Sequence, residues 1–497
     1  MTAPNSPAAG RRNPRVAIIG SGFGGIATAI KLKEAGFTDF TVFEKNPGPG
    51  GTWWENSYPG AQVDVMSSYY SYSFMYDYDW PRSFANQDEV QQYIEHVIDR
   101  FGVRSHFRFK TPVREAVWNE GTNSYTVHTA SGEKHEFEVV VSGVGMLNDP
   151  FIPDWPGLAD FAGPKFHTAR WEHQHELAGK RVAVVGTGST ASQVVPAIAP
   201  KVKHLYLFQR EPGFVLPKGD RVLTRGEREK LRRWPILQKI ARIRNFVNIE
   251  RFRAAAHPDT KPQKFLHSTA VAHLEKQVRD PVLREKLRPK YAFFCKRPIL
   301  SDDFYPALQR SNVELVPKAV TRVTRNGVVD SDGREHEIDI LVIATGFKPA
   351  TYLSSINIKG RGGRGIHEVW GSEPRAFLGL SVPGFPNFFM LYGPNTNGGS
   401  IVFQLERQAE WIVSAVRRMA ARGAATVEVK EGLYERMSRW VDEGNRGTTW
   451  ESGGCNHTYY LSPAGRVVTQ WPYSWVTYWF LTKVMRPFAY RFSGPSA

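Results

Sequence analysis

RVAIIGSGFGG, residues 15–25, reads as a short buried strand that runs into a glycine-rich turn and a helix. In that pattern Gly20, Gly22 and Gly25 allow a tight turn and close backbone approach to a pyrophosphate, and Phe23 starts the helix. The helix N-terminus then turns its unpaired N–H groups toward the anion. RVAVVGTGSTA, residues 181–191, repeats the design, with Gly186, Thr187, Gly188, Ser189 and Thr190 forming the second turn. One such motif is weak evidence, because glycine-rich turns also occur for structural reasons alone. Two of them, each behind an apolar strand, predict a chain that binds two dinucleotides.

The residue closing the next strand separates the two sites, because its side chain meets the adenosine ribose about 20 residues after the glycines. In the first unit TVFEK ends in Glu44 and Lys45, and the Glu44 carboxylate suits a free ribose 2′-hydroxyl, as in FAD or NAD. In the second, LYLFQR ends in Arg210, whose guanidinium suits a 2′-phosphate through a charge-assisted bidentate contact. FAD or NAD is therefore expected first and NADPH second, with Glu211 beside Arg210 as a contrary sign. Each unit also ends in an apolar strand that stops at glycine, Glu138 to Gly145 and Asp339 to Gly346. The expected fold class is α/β, with two Rossmann-like dinucleotide-binding domains, for FAD and NADPH, and a helical insertion.

The boundaries follow from composition. Residues 1–13 read as a disordered leader, 14–148 and 347–497 as a discontinuous FAD-binding domain, 149–216 and 291–346 as the NADPH-binding domain, and 217–290 as the helical insertion. The insertion is placed to cover a substrate pocket. A further helix is expected from about Ile401 to Arg422.

With 497 residues, 41% of them apolar, the chain can fill about three ordinary cores. It has two cysteines, Cys295 and Cys455, and no C-x-x-C pair, which leaves neither a disulfide framework nor a zinc ribbon. The absence of a C-x-x-C pair argues against a disulfide reductase, which relays electrons through two neighbouring thiols. The N-terminus lacks the apolar core of a secretory signal, so a cytoplasmic location is expected. The aromatic stretch Trp471 to Met485 is too short to span a bilayer, and packing onto the body is preferred there to an interfacial membrane contact. Net charge is +16, and residues 221–253 carry eleven basic and three acidic side chains. Trp234, Leu237, Ile240, Ala241 and Val247 lie at helical spacing inside that stretch, so the expectation is an amphipathic helix with its apolar side packed and its basic side solvated. No nucleic-acid reading module accompanies the charge, so nucleic acid is not expected as a partner.

Between the two glycine motifs stands FAGPKFHTARW, residues 161–171, which resembles the F-x-G-x-x-x-H-x-x-x-W fingerprint of type I Baeyer-Villiger monooxygenases. A second stretch, Gly50-Gly51-Thr52-Trp53 continuing through Tyr58-Pro59-Gly60 to Asp64, is similar to the same family's other fingerprint. The likeness extends through Cys295-Lys296-Arg297-Pro298, Ala344-Thr345-Gly346-Phe347 and Gly393-Pro394-Asn395, and is weak over the helical insertion and the last twenty residues.

This resemblance implies an enzyme that uses FAD, NADPH and dioxygen to insert one oxygen beside a ketone carbonyl, through a peroxyflavin, giving an ester or lactone. The alternative is a flavin monooxygenase that oxygenates sulfur or nitrogen nucleophiles. It further implies that Arg297 is the active-site cation and that Asp64 orients it, a carboxylate and guanidinium being a consistent pair. By the same likeness Glu44, Thr52, Trp53, Asp64, Tyr70 and Val113 contact FAD, and Thr187 to Ser192, Arg210 and Lys296 contact NADPH. His167 falls in the linker fingerprint, where a histidine is expected to hold backbone geometry and not to transfer protons. The run Glu172-His-Gln-His-Glu176 lacks metal-ligand spacing and is expected to be a solvated loop.

Overall fold

The computed structural model describes residues 13–348, 350–454 and 460–495. All but one residue of the expected leader therefore lies outside the described residues. Each glycine motif opens a parallel sheet, and the two sheets are built alike. In the first, Val16–Ile19 is central, with Val16 beside Phe40 of strand Phe40–Phe43 on one side and beside Val139 of strand Val139–Ser142 on the other. Strand Phe107–Arg108 closes one edge, and Phe388–Met390 comes back from the C-terminal third to close the other. In the second sheet Arg181–Val185 is central, between His204–Phe208 and Ile340–Ile343, with Val313–Val316 and Lys165–His167 at the edges. Every pairing in both sheets is parallel. An antiparallel meander precedes the closing strand in each unit, over residues 113–137 in the first and 320–337 in the second.

Strands buried on both faces read as continuous apolar runs, and this is why VAII and RVAVV signal them so plainly. Val16, Ala17 and Ile18 are fully buried, as are Val182, Ala183 and Val184. Helix Phe23–Glu34 covers one face of the first sheet and packs along helix Ile401–Arg422, which occupies the span expected from the sequence. Helix Ser189–Ile198 plays the corresponding part in the second unit.

The insertion holds the helices Arg225–Arg233, Ile236–Arg251, Lys261–Gln277 and Pro281–Lys286. One expectation fails here. Trp234, Ile240 and Val247 are 55%, 55% and 47% exposed and only Leu237 and Ala241 are half-buried, so most of the side expected to pack faces outward. The aromatic stretch near the C-terminus divides in the same way: in helix Trp475–Val484, Trp475, Tyr478 and Thr482 are buried, while Val476, Trp479 and Phe480 are exposed. Among the described residues no helix is long and apolar enough to cross a membrane.

Candidate functional site

Both central strands end at one cavity of about 1140 Å³, lined by Ile19, Phe43, Val185 and Phe208 at the strand ends and by both glycine turns. That volume exceeds the usual range for a single small ligand, roughly 300–1,000 Å³. The turns approach their neighbours closely. Gly20 has φ +101°, and a Cβ there would lie 2.8 Å from the Gly143 carbonyl oxygen; Gly186 has φ +120°, and a Cβ would lie 2.4 Å from that of Ala344. Any other residue at these two positions would push the closing strand away, so the cradle shape depends on the missing side chains.

Helices Phe23–Glu34 and Ser189–Ile198 both start at a glycine that supplies no side-chain cap, so their first N–H groups have no such partner. Gly22 and Gly188, at those starts, line the cavity. Two uncapped helix N-termini on one cavity suit two phosphate-bearing ligands. Glu44 is buried at the end of its strand; its carboxylate accepts from the Ser21 N–H (2.9 Å), the Ser21 hydroxyl (2.6 Å) and the Asn46 N–H (2.8 Å). A carboxylate has about four acceptor positions, so one remains for a ribose hydroxyl.

Lys45, Thr52, Trp53, Tyr70 and Val113 all line the same cavity. The Trp53 indole N–H donates to the Tyr70 hydroxyl at 3.1 Å, and the rings meet edge to face. Burial raises the Tyr70 phenol above its ordinary pKa, so it stays neutral. Lys45 pairs with Glu55 at 2.6 Å, and Glu55 also meets Arg170 of the linker at 3.1 Å. Phe23 and Gly25 are buried behind the wall, where Phe23 packs against Tyr70 and Tyr72.

Across the cavity, Gly186 to Thr190, Arg210, Lys296 and Arg297 also line it. An Arg297 guanidinium N–H donates to Asp64 Oδ2 at 2.7 Å, joining residues 233 positions apart and the two halves of the cavity. The pair is partly open, with side chains 42% and 28% exposed. Lys296 forms an ion pair with Glu211, and that pairing offsets the acid which the sequence set against a phosphate.

Two side chains, Tyr58 of the fingerprint and Gln193, which sequence reasoning did not single out, tie the two units together. The Tyr58 hydroxyl donates to Gln193 Oε1 at 2.9 Å, and the Gln193 amide donates to the Gln62 carbonyl at 2.9 Å. Burial pushes the Tyr58 phenol up to about 12, which keeps it a donor. Tyr58 belongs to a fingerprint, but no spacing in the sequence points to a partner as distant as Gln193. The insertion contributes no described residue to the cavity wall, contrary to the cover expected of it. Cys295 is buried next to Lys296, and Cys455 lies outside the described residues.

His167 does hold backbone. Its Nδ1 accepts from the Ala169 N–H at 3.1 Å, which leaves Nε2 to donate to the Gly346 carbonyl at 2.9 Å. Burial lowers its pKa from 6.5, so the folded chain resists a proton that the unfolded chain takes up. Stability from neutral His167 is therefore complete above pH 6.5 and declines as pH falls through the lowered folded value. The thermal midpoint is expected to drop on mild acidification, and to drop less in His167→Gln, as differential scanning fluorimetry at paired pH values can check.

The flavin-binding monooxygenase-like family matches residues 13–355. A Baeyer-Villiger monooxygenase of Pseudomonas aeruginosa is 38% identical over 96% of this chain and 90% of its own. The solved structure of cyclohexanone monooxygenase from Rhodococcus sp. Phi1 bound to NADP+ superposes with a TM-score of 0.87 at 31% identity, over 97% of this chain and 99% of that one. A structure of OTEMO in complex with FAD and NADP gives a TM-score of 0.87 at 26% identity, over 98% of this chain and 100% of that one.

Proposed function

We propose, from the premise that the chain belongs to the flavin-binding monooxygenase-like family and, within it, to the Baeyer-Villiger monooxygenases, that it oxidises ketones to esters or lactones at the expense of NADPH and dioxygen. The observation that carries this reading is the Asp64–Arg297 pair on the wall of a cavity lined by both dinucleotide turns. FAD, when bound and reduced by NADPH, supplies the oxygen-activating chemistry. Glu44, the helix start at Gly22 and the Trp53–Tyr70 corner would hold it. The helix start at Gly188, with Arg210 and Lys296, would hold the nicotinamide cofactor. The domain division that follows is residues 14–148 with 347–497 for FAD and 149–216 with 291–346 for NADPH. A cytoplasmic site of action, where NADPH is regenerated, belongs to the same proposal.

The work left to the protein is electrostatic. Attack on a ketone carbonyl places negative charge on its oxygen, and Arg297, charged at every accessible pH, is held by Asp64 at the cavity wall to receive it. The guanidinium needs no proton transfer to act. Its orientation is fixed before substrate arrives, so no reorganisation is needed during the reaction.

Purified holoenzyme should consume NADPH faster when a ketone is added and yield a product one oxygen heavier, with cyclohexanone the first of a panel of linear, cyclic and aromatic ketones. Hydrogen peroxide as the sole product across the panel would overturn the reading, and oxidation of sulfides or amines alone would favour the other oxygenation chemistry. Arg210 has a separate consequence. Charged hydrogen bonds of this kind are worth about 1.5–3 kcal/mol, so Arg210→Ala should lower kcat/KM for NADPH by roughly ten- to a hundredfold and leave that for NADH nearly unchanged.

A further inference from the structure

The helix Ile236–Arg251 is seated inside out. At 3.6 residues per turn, Gln238, Arg242 and Asn245 share one side, and this polar side faces the body. The Gln238 amide donates to the Tyr78 carbonyl at 3.2 Å, Arg242 donates to the carbonyls of Tyr69 and Ser71 at 3.1 and 2.5 Å, and the Asn245 amide donates to the Ser68 hydroxyl at 3.1 Å. Ile236, Ile240, Ile243 and Val247 form a stripe on the opposite side, between 47% (Val247) and 63% (Ile243) exposed. Surface helices ordinarily bury such a stripe. Here directional hydrogen bonds hold it toward the outside.

The charges flanking the stripe say what would cover it. Helical geometry places Lys239 along one border and Arg244 and Arg251 along the other, all three exposed. Among the described residues none of the three has a carboxylate partner within an ion pair; Lys239 instead rests 3.9 Å from the centroid of the Tyr76 ring. Trp234, 55% exposed, stands just before the helix. Two copies meeting across a twofold axis would bring like-charged borders together. A nucleic acid would meet an apolar strip where it needs cations. An apolar stripe bordered by long basic side chains is the arrangement of a helix lying in a membrane interface, where the chains reach outward to headgroup phosphates while the stripe meets acyl chains. The helix Trp475–Val484 adds Val476, Trp479 and Phe480 to the exposed apolar surface, and its first N–H donates to the Glu250 carboxylate at 2.9 Å, so it starts next to the end of the inside-out helix.

We propose that Ile236–Arg251 docks this enzyme on an anionic lipid surface without crossing it, a property independent of the oxygenation reaction. The sequence reading of residues 221–253, an amphipathic helix with its apolar side packed, does not anticipate this, because periodicity marks an apolar stripe but not the direction it faces.

The experiment is flotation of full-length holoenzyme with vesicles of phosphatidylcholine alone or of phosphatidylcholine mixed with phosphatidylglycerol. Binding is expected with the mixed vesicles only, and it should weaken as salt is raised. Ile240→Asp combined with Ile243→Asp should remove it while leaving ketone-dependent NADPH oxidation in free solution at the wild-type rate, which reports an intact fold. Arg244→Gln combined with Arg251→Gln should weaken partitioning about 25-fold, at roughly fivefold per cation. The proposal is overturned if wild-type enzyme does not float with mixed vesicles, floats equally with neutral ones, or still floats when carrying both aspartates. It is also overturned if the aspartates instead break up a dimer in sedimentation velocity, since the stripe then covers a second copy.

Discussion

Replacing Arg297 by alanine is expected to leave a yellow enzyme that binds FAD and is reduced by NADPH, yet to lower ester formation by about 10²–10³-fold. The expectation rests on where charge develops and not on how tightly the ketone binds. A preorganised donor aimed at a forming oxyanion contributes mainly to the transition state, so the loss should fall on kcat with little change in KM. Asp64 holds the guanidinium at 2.7 Å from across the cavity, and Asp64→Ala should show the same signature at smaller size, because the cation remains and only its aim is lost. Stopped-flow reduction separates the steps: flavin reduction near the wild-type rate, followed by hydrogen peroxide release in place of ester, is the expected pattern. Ester formation at the wild-type rate by Arg297→Ala would remove the assigned role.

The largest stability effect is expected at Arg242. Its guanidinium lies 3.5 Å from the Glu406 carboxylate, whose side chain is 1% exposed in the second turn of helix Ile401–Arg422. Burial already raises the pKa of Glu406, a sign that its charge is only partly offset by its neighbours. Arg242→Met removes the closest cation and leaves the buried carboxylate only Arg407 at 4.0 Å and the Ser73 N–H, and removing one partner of a buried pair costs up to about 3–5 kcal/mol. Adding Glu406→Gln should recover the part of the loss that belongs to the ion pair, while the part due to the lost bonds to the Tyr69 and Ser71 carbonyls remains. Urea unfolding of the wild type, the two single variants and the double variant closes the cycle, and additive losses would show that the two side chains do not act as a pair.

The architecture was legible because its determinants are local and strict. Gly20 and Gly186 sit where a carbonyl comes within 3 Å of any Cβ, and apolar strands buried on both faces leave unbroken runs such as VAII. Glu44 and Arg210 could be read from their offset alone, since a strand and a turn of fixed length place them. Asp64 and Arg297 came from family likeness, because no spacing reveals that residues 233 apart will touch. Of the Tyr58–Gln193–Gln62 latch only Tyr58 stands in a motif, and no spacing reveals that Gln193 is its partner. The inside-out helix was misread for a definite reason. Apolar periodicity at Trp234, Ile240 and Val247 implies a buried stripe only if the opposite side has nothing better to offer the body, and Gln238, Arg242 and Asn245 find carbonyl and hydroxyl partners there.

Those partners also settle how freely that helix can turn about its own axis. A cylinder seated on oily contacts can roll by tens of degrees at little cost, because one methyl group replaces another. Ile236–Arg251 is pinned at three successive turns by bonds that tolerate only small changes of angle. Its azimuth is fixed as firmly as its position, so whatever meets its outer edge meets one invariant profile.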